Sequence, residues 1–147
     1  MGKGRDRRTK AKADRPSSSD ATPDVVPFCA GWIWWSASPG AARKPPKDDF
    51  DKRIPADIRK EFHDLMRKYR DCIEQLTHGL HYKDIGDGIC ELRVKRHGNA
   101  YRLLFMRWGN HAIALDVFHK TTRRTSKDVA NERRVKWLKM RGDTPPE

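Results

Sequence analysis

The sequence predicts an α+β fold: a short N-terminal strand, a helix or helical hairpin, an antiparallel β-meander and a C-terminal helix. Three observations carry this reading. Between Pro55 and Leu76 the apolar residues recur at helical spacing. From Ile89 to Lys120 the spacing becomes two and is interrupted by two Gly/Asn turns. After Thr125 a basic segment with a hydroxyl cap begins. Helices kept apart in the chain from hairpin-linked strands pack as an α+β arrangement. No internal repeat is visible.

Residues 1–24 contain no large apolar side chain after Met1, so they cannot bury enough surface to offset their ordering entropy. They are read as a disordered basic tail, 25–141 as the folded domain and 142–147 as a flexible C-terminus. Val25 to Trp35 is apolar and is followed by Ser36-Ala37-Ser38, which mimics a signal peptide. The leader is too long for one, carries Asp20 and Asp24, and the run is rich in Trp, so a buried first strand at Gly31–Ser36 is the better reading. There, alternation buries Trp32 and Trp34 together, or Trp35 alone. Pro39-Gly40 and Pro45-Pro46 mark a loop, and Pro46–Arg53 is a short helix or turn. The stripe Ile58, Phe62, Leu65, Tyr69, Cys72, Ile73 and Leu76 then predicts a helix over Pro55–Leu76, with Pro55 in its first turn. Its balanced charge suggests scaffold.

Gly86-Asp87-Gly88 is a turn, and after it Cys90, Leu92 and Val94 alternate with Glu91, Arg93 and Lys95. His97-Gly98-Asn99 and Trp108-Gly109-Asn110 supply hairpin turns on either side of a strand holding Tyr101, Leu103 and Phe105. Ile113, Leu115 and Val117 lead a third strand to Lys120. Thr125 to Asp128 has the spacing of a capping box, and a helix from Val129 to about Met140 would dock through Trp137 and Leu138.

The chain has 32 Lys plus Arg against 20 Asp plus Glu, a net charge of +12. Residues 88–141 alone hold fourteen basic and four acidic side chains, whereas residues 43–87 are nearly balanced at eleven and ten. Such a surplus points to a polyanion, because phosphate neutralisation drives non-specific nucleic-acid binding. No run approaches the ~18–20 apolar residues of a membrane span, so no membrane partner is expected. Three scattered cysteines fit a reducing, cytoplasmic setting. Cys72, His63, His78 and His81 match no structural-zinc spacing, so no metal or other cofactor is expected. Phosphate-cradling glycine loops and nucleophile elbows are absent.

Strand parity sorts the charges. With Cys90, Leu92, Val94, Tyr101, Leu103, Phe105, Ile113, Leu115 and Val117 facing the core, Glu91, Arg93, Lys95, Arg102, Asp116, Phe118 and Lys120 face away. Leu104 and Met106 fall on that outer side too. His119 sits at the strand end, where alternation turns it inward, and His97 lies near a turn. Gathered cations repel unless an anion meets them. A solvated polar face is the simpler alternative.

Gly88-Ile89-Cys90-Glu91-Leu92-Arg93, then Gly98-Asn99-Ala100-Tyr101-Arg102-Leu103, then Val117-Phe118-His119-Lys120-Thr121-Thr122 resembles, in order and spacing, the RelE/HigB-type toxin superfamily, and its HigB-like phage-derived branch in particular. Upstream, Asp48-Asp49-Phe50 through Ile54-Pro55-Ala56-Asp57-Ile58-Arg59 resembles the family's first helix, proline and second helix. The resemblance covers roughly residues 31–140. It implies a RelE-like α+β domain acting as the toxin of a type II toxin–antitoxin system: a metal-independent mRNA interferase that cleaves mRNA on the ribosome and is neutralised by a cognate antitoxin protein. By position, Arg102 would be the main phosphate contact, Arg93 a second cation and Lys120 the cation at the strand end. Glu91 and His119 are the candidates for moving protons. Lys95, Arg96, His97, Arg107, Arg123 and Arg124 are the remaining candidate RNA contacts. The chemistry agrees, since a phosphorane gains most from preorganised guanidiniums and proton transfer needs groups such as imidazole or carboxylate.

One departure stands out. Some family members use a tyrosine near the C-terminus, but no tyrosine follows Tyr101, and Trp137 is the only aromatic beyond the last strand. The alternative left open is a non-catalytic RelE-fold protein that inhibits a protein target such as a topoisomerase, or that binds RNA without cutting it.

Overall fold

Trp32, Ile33, Trp34 and Trp35 are all buried, although alternation should bury only every second one. They can all be buried because the sheet they join is covered on both faces. A computed structural model of the chain describes residues 31–38, 40–120 and 126–145. The expected tail, Cys29, Thr125 and the basic Arg123 and Arg124 lie outside the described residues.

The element order is β1 (Trp32–Trp34), α1 (Pro45–Arg53), α2 (Ala56–Asp71), a 3-10 turn at Ile73–Gln75, β2 (Tyr82–Asp84), β3 (Ile89–Arg96), β4 (Asn99–Trp108), β5 (His111–His119) and α3 (Ser126–Arg141). The five strands lie in the order β1-β5-β4-β3-β2. The expected β3–β4–β5 meander is present. β1 adds to it in parallel, with Ile33 opposite Ile113, and short β2 adds antiparallel to β3. The β3–β4 hairpin turns on His97 and Gly98, both at positive φ (54° and 81°). Two such residues make the type I′ turn whose twist matches the flanking strands.

α1 and α2 cover one face. Trp32, Trp34, Phe50, Phe62, Met66, Leu92, Leu103 and Phe105 meet there. α3 covers the other, over Ile33, Trp35, Ile89, Leu104, Met106, Trp108, Ile113 and Leu115. Trp137 of α3 is fully buried in this second core, edge-on to Trp108 at 5.3 Å, and the Arg141 guanidinium lies 3.8 Å above it. The Trp35 indole N–H donates to Arg133 O (2.9 Å), and the Trp108 indole N–H donates to Gly142 O (2.9 Å).

The second core corrects several expectations. Leu104 and Met106 do not face solvent; they are buried beneath α3. Ile113 and Leu115 do not share a face with Val117: the first two pack under α3 and the third packs on the α1/α2 side. The cause is a bulge. Leu104 pairs with Asp116 but Phe105 with Ala114, so Leu115 is an extra residue and the side-chain parity of β5 reverses across it. Asp116, expected outside, is 1% exposed and ion-pairs with Arg133 at 3.7 Å. The helix expected over Pro55–Leu76 ends at Asp71 because Cys72 leaves helical geometry (φ −142°, ψ 53°), and Pro55 caps it from outside. Ile73 consequently leaves the stripe and is 41% exposed. Among the described residues, no helix is long and apolar enough to cross a membrane.

Trp137→Ala should lower the free energy of unfolding by about 3–5 kcal/mol, whereas Met140→Ala, on the exposed side of α3, should change it by less than about 0.5 kcal/mol; urea titration measures both. Burial lowers the pKa of half-buried His111 below its ordinary value of 6.5. The contribution of neutral His111 is therefore complete above that value and is lost as pH falls below it through the folded-state pKa. The melting temperature of His111→Gln should decline less steeply with acidification than that of the parent chain.

Candidate functional site

Register decides which charges meet. β3 and β4 pair so that Arg93 stands directly opposite Arg102. Side chains so placed have Cβ atoms about 4.5–5.5 Å apart, close enough for like charges to repel. Glu91 lies two residues before Arg93 and therefore on the same face. Its Oε1 is 3.2 Å from Arg102 Nε and its Oε2 is 3.5 Å from Arg93 Nε. One carboxylate thus bridges two guanidiniums, and the trio keeps a net charge of +1.

The trio is set into the protein rather than spread on its surface. Arg102 is 8% exposed. Burial lowers its guanidinium's pKa from the ordinary value and neighbouring Arg93 adds to this, while Glu91 opposes it; an arginine remains charged regardless. Arg102 also donates to Tyr101 O at 3.4 Å. Arg93 ties down the turn before β2: its guanidinium donates to Gly79 O (2.5 Å) and its backbone N–H to His81 O (2.8 Å).

Arg93 and Arg102 line a cleft of about 950 Å³ bounded by α2, the Gln75–His81 turn and the far end of β3. Lys95 and Arg96 line it as well, with Arg96 ion-paired to Glu61 of α2. α2 was expected to be scaffold, yet it forms one wall, contributing Lys60, Asp64 and Lys68. The Asp64 carboxyl is held below its usual pKa, first by its hydrogen bond with Lys68. The cleft also contains His81, which sequence reasoning weighed only as a zinc ligand and set aside. Its Nδ1 accepts the Thr77 backbone N–H at 2.8 Å, so in the neutral ring Nε2 carries the proton.

Other candidates lie elsewhere. His119 is on the opposite face from Arg102, stacked on Tyr101 at 4.6 Å with its Nε2 3.2 Å from Asn99 Oδ1. Its partner across the strands is Tyr101, whereas that of Arg102 is Phe118. Lys120 is exposed just past β5, its backbone N–H bonded to Ala100 O. His97 is exposed in the hairpin turn. Arg107 is five residues from Arg102 along β4, about 17 Å at the rise of a strand, and faces Tyr69 on the α1/α2 side.

A family model described as "Phage derived protein Gp49-like (DUF891)" matches residues 48–134. Two relatives described as "Probable endoribonuclease HigB1", from Mycobacterium tuberculosis strains CDC 1551 / Oshkosh and ATCC 25618 / H37Rv, are each similar to the chain at 38% identity over 103 residues. The matched stretch covers 68% of this chain and 79% of each relative.

If Glu91 reconciles the two guanidiniums, Glu91→Gln should destabilise the chain by about 1–3 kcal/mol, and inorganic phosphate should restore part of the loss by replacing the missing anion. Equal urea midpoints for parent and variant would remove this role from Glu91.

Proposed function

The chain belongs to the Gp49-like phage-derived family, among the RelE/HigB-type toxins, and we propose that it is the endoribonuclease toxin of a toxin–antitoxin pair, cleaving mRNA on the ribosome. One observation carries the chemical part of this reading: the directly opposed Arg93–Arg102 pair, held by a single carboxylate and lining a cleft of about 950 Å³. A phosphodiester presented to the pair can take over the charge compensation that Glu91 supplies in its absence. The two guanidiniums then lie where negative charge grows as the 2′-oxygen attacks phosphorus and the bond to the 5′-oxygen breaks. Glu91, displaced from both guanidiniums, is then free to take the 2′-hydroxyl proton, and the departing 5′-oxygen takes a proton from water. Lys95 and Arg96 extend the cationic track along β3, with Lys120 at the end of the sheet. The relatives' description supports ribonuclease chemistry, and the family supports an antitoxin protein as partner.

A second reading, RNA binding without cleavage, is favoured by one observation. His119, the imidazole expected to move protons, stacks on Tyr101 on the face away from the arginines. Primer extension on translated mRNA after induction separates the two readings. New 5′ ends in register with codons support cleavage on the ribosome, whereas persistent growth arrest without new ends supports the rival.

Arg93→Ala combined with Arg102→Ala should abolish growth arrest. Because Arg102 is buried and Arg93 holds a turn, Arg102→Lys provides the control: it keeps the charge but loses the bidentate fork, and should reduce cleavage on the order of 10²-fold. Full toxicity in a double variant with native circular dichroism would exclude the pair as the site.

A further inference from the structure

A second concavity, of about 400 Å³, lies at the other end of the sheet, where α2 ends and β4 turns into β5. Arg70, Arg107, Tyr69, Asn110 and His111 line it, and among the described residues no carboxylate does. This distinguishes it from the larger cleft, where Asp57, Glu61 and Asp64 stand among the cations. Arg70 ion-pairs with neighbouring Asp71, which is not part of the pocket's lining. The Arg107 guanidinium lies 6.0 Å from the Tyr69 ring centroid, and among the described residues no acidic side chain pairs with it. Both arginines line this one pocket and are exposed, so their charge is open to an anion arriving from solvent.

The chain also leaves room for this arrangement. At Gly31 (φ +95°) an added Cβ would come within 2.6 Å of Arg70 Cδ, so only glycine lets the arginine stem cross there. Ile73 and Ala112 add apolar wall, and the volume exceeds what a bare tetrahedral anion fills.

We propose that this pocket binds a phosphate group carried on a nucleotide or an RNA strand, with Arg107 as the principal contact and Arg70 as the second. Guanidiniums bind phosphate oxygens in pairs, and a site with no competing carboxylate retains its field for an incoming anion. The pocket is independent of the Glu91 trio, being at the opposite end of β4 and on the opposite face.

The test is an amide-resonance titration of the full chain with three separate probes: inorganic phosphate, adenosine 5′-monophosphate, and a ten-nucleotide RNA bearing hydroxyls at both ends. Saturable shifts at Asn110, His111 and Ala112 are expected, weakened at least about 10-fold by Arg107→Gln. Shifts with the monophosphate but not the RNA identify a phosphate monoester as the ligand; shifts with the RNA identify a backbone diester. The same shifts in Arg102→Lys would show that the pocket stands whether or not the cleavage reading does. Absence of saturable shifts with all three probes, or equal affinity in Arg107→Gln, overturns the proposal.

Discussion

The pairing register of β3 on β4 is the constraint on which the rest of the molecule depends. Side chains alternate along a strand with a period of two, so slipping this pair by one residue would exchange the two faces of β3. Leu92 and Val94 would leave the core under α2, and Glu91 and Arg93 would replace them there without partners. In the observed register, Leu92 meets Leu103 on one face while Arg93 meets Arg102 on the other. The apolar pairs hold the alignment, and the charged trio follows from it. Its two arginines repel, but the buried face opposite them leaves no alternative alignment that costs less.

Much of this was legible in the sequence because its signals are local. The helical stripe of α2, the hairpin-turn signal of His97-Gly98-Asn99 and the alternation of β3 each depend on neighbours within a few residues. What was not legible depends on distant partners. Leu104 and Met106 read as outward because strand parity assumes one buried face, and only the docking of Trp137 makes the other face a core as well. The bulge at Leu115 has no local sequence mark, yet it reverses the sense of everything before it in β5. β2 is three partly or fully exposed residues with no pattern of their own, held by pairing with Cys90, Glu91 and Leu92. The parallel pairing of β1 with β5 joins segments some eighty residues apart.

The same division runs through the candidate site. Partitioning the charge pointed to residues 88–141, and parity brought Glu91, Arg93 and Arg102 to one face, where they meet. His119 failed as a companion to the arginines because strand pairing ties it to Tyr101, an inward residue. His81, Lys60 and Lys68 were missed because they come from α2 and the turn after it. Their charges are unremarkable in sequence and become a cleft wall only when α2 packs beside β3.

Net charge alone does not make an anion site; the local count of carboxylates does. In the larger cleft, Arg96 is paired to Glu61, Lys68 to Asp64, and both central arginines to Glu91. An anion entering there must displace an internal carboxylate, so the exchange itself selects for a ligand that engages both arginines at once. A single phosphate contacting one cation gains little over the ion pair it breaks, whereas a phosphodiester spanning Arg93 and Arg102 replaces both bonds of Glu91 and releases its carboxylate. Around Arg107 no such exchange is required, because among the described residues no acid lines that pocket. Binding there should be less selective for geometry and governed more by charge. The two concavities therefore differ in kind. One is compensated and suited to discriminating the shape of what enters it; in the other Arg70 is paired with Asp71 outside the lining while Arg107 meets no acid among the described residues, which suits it to capture.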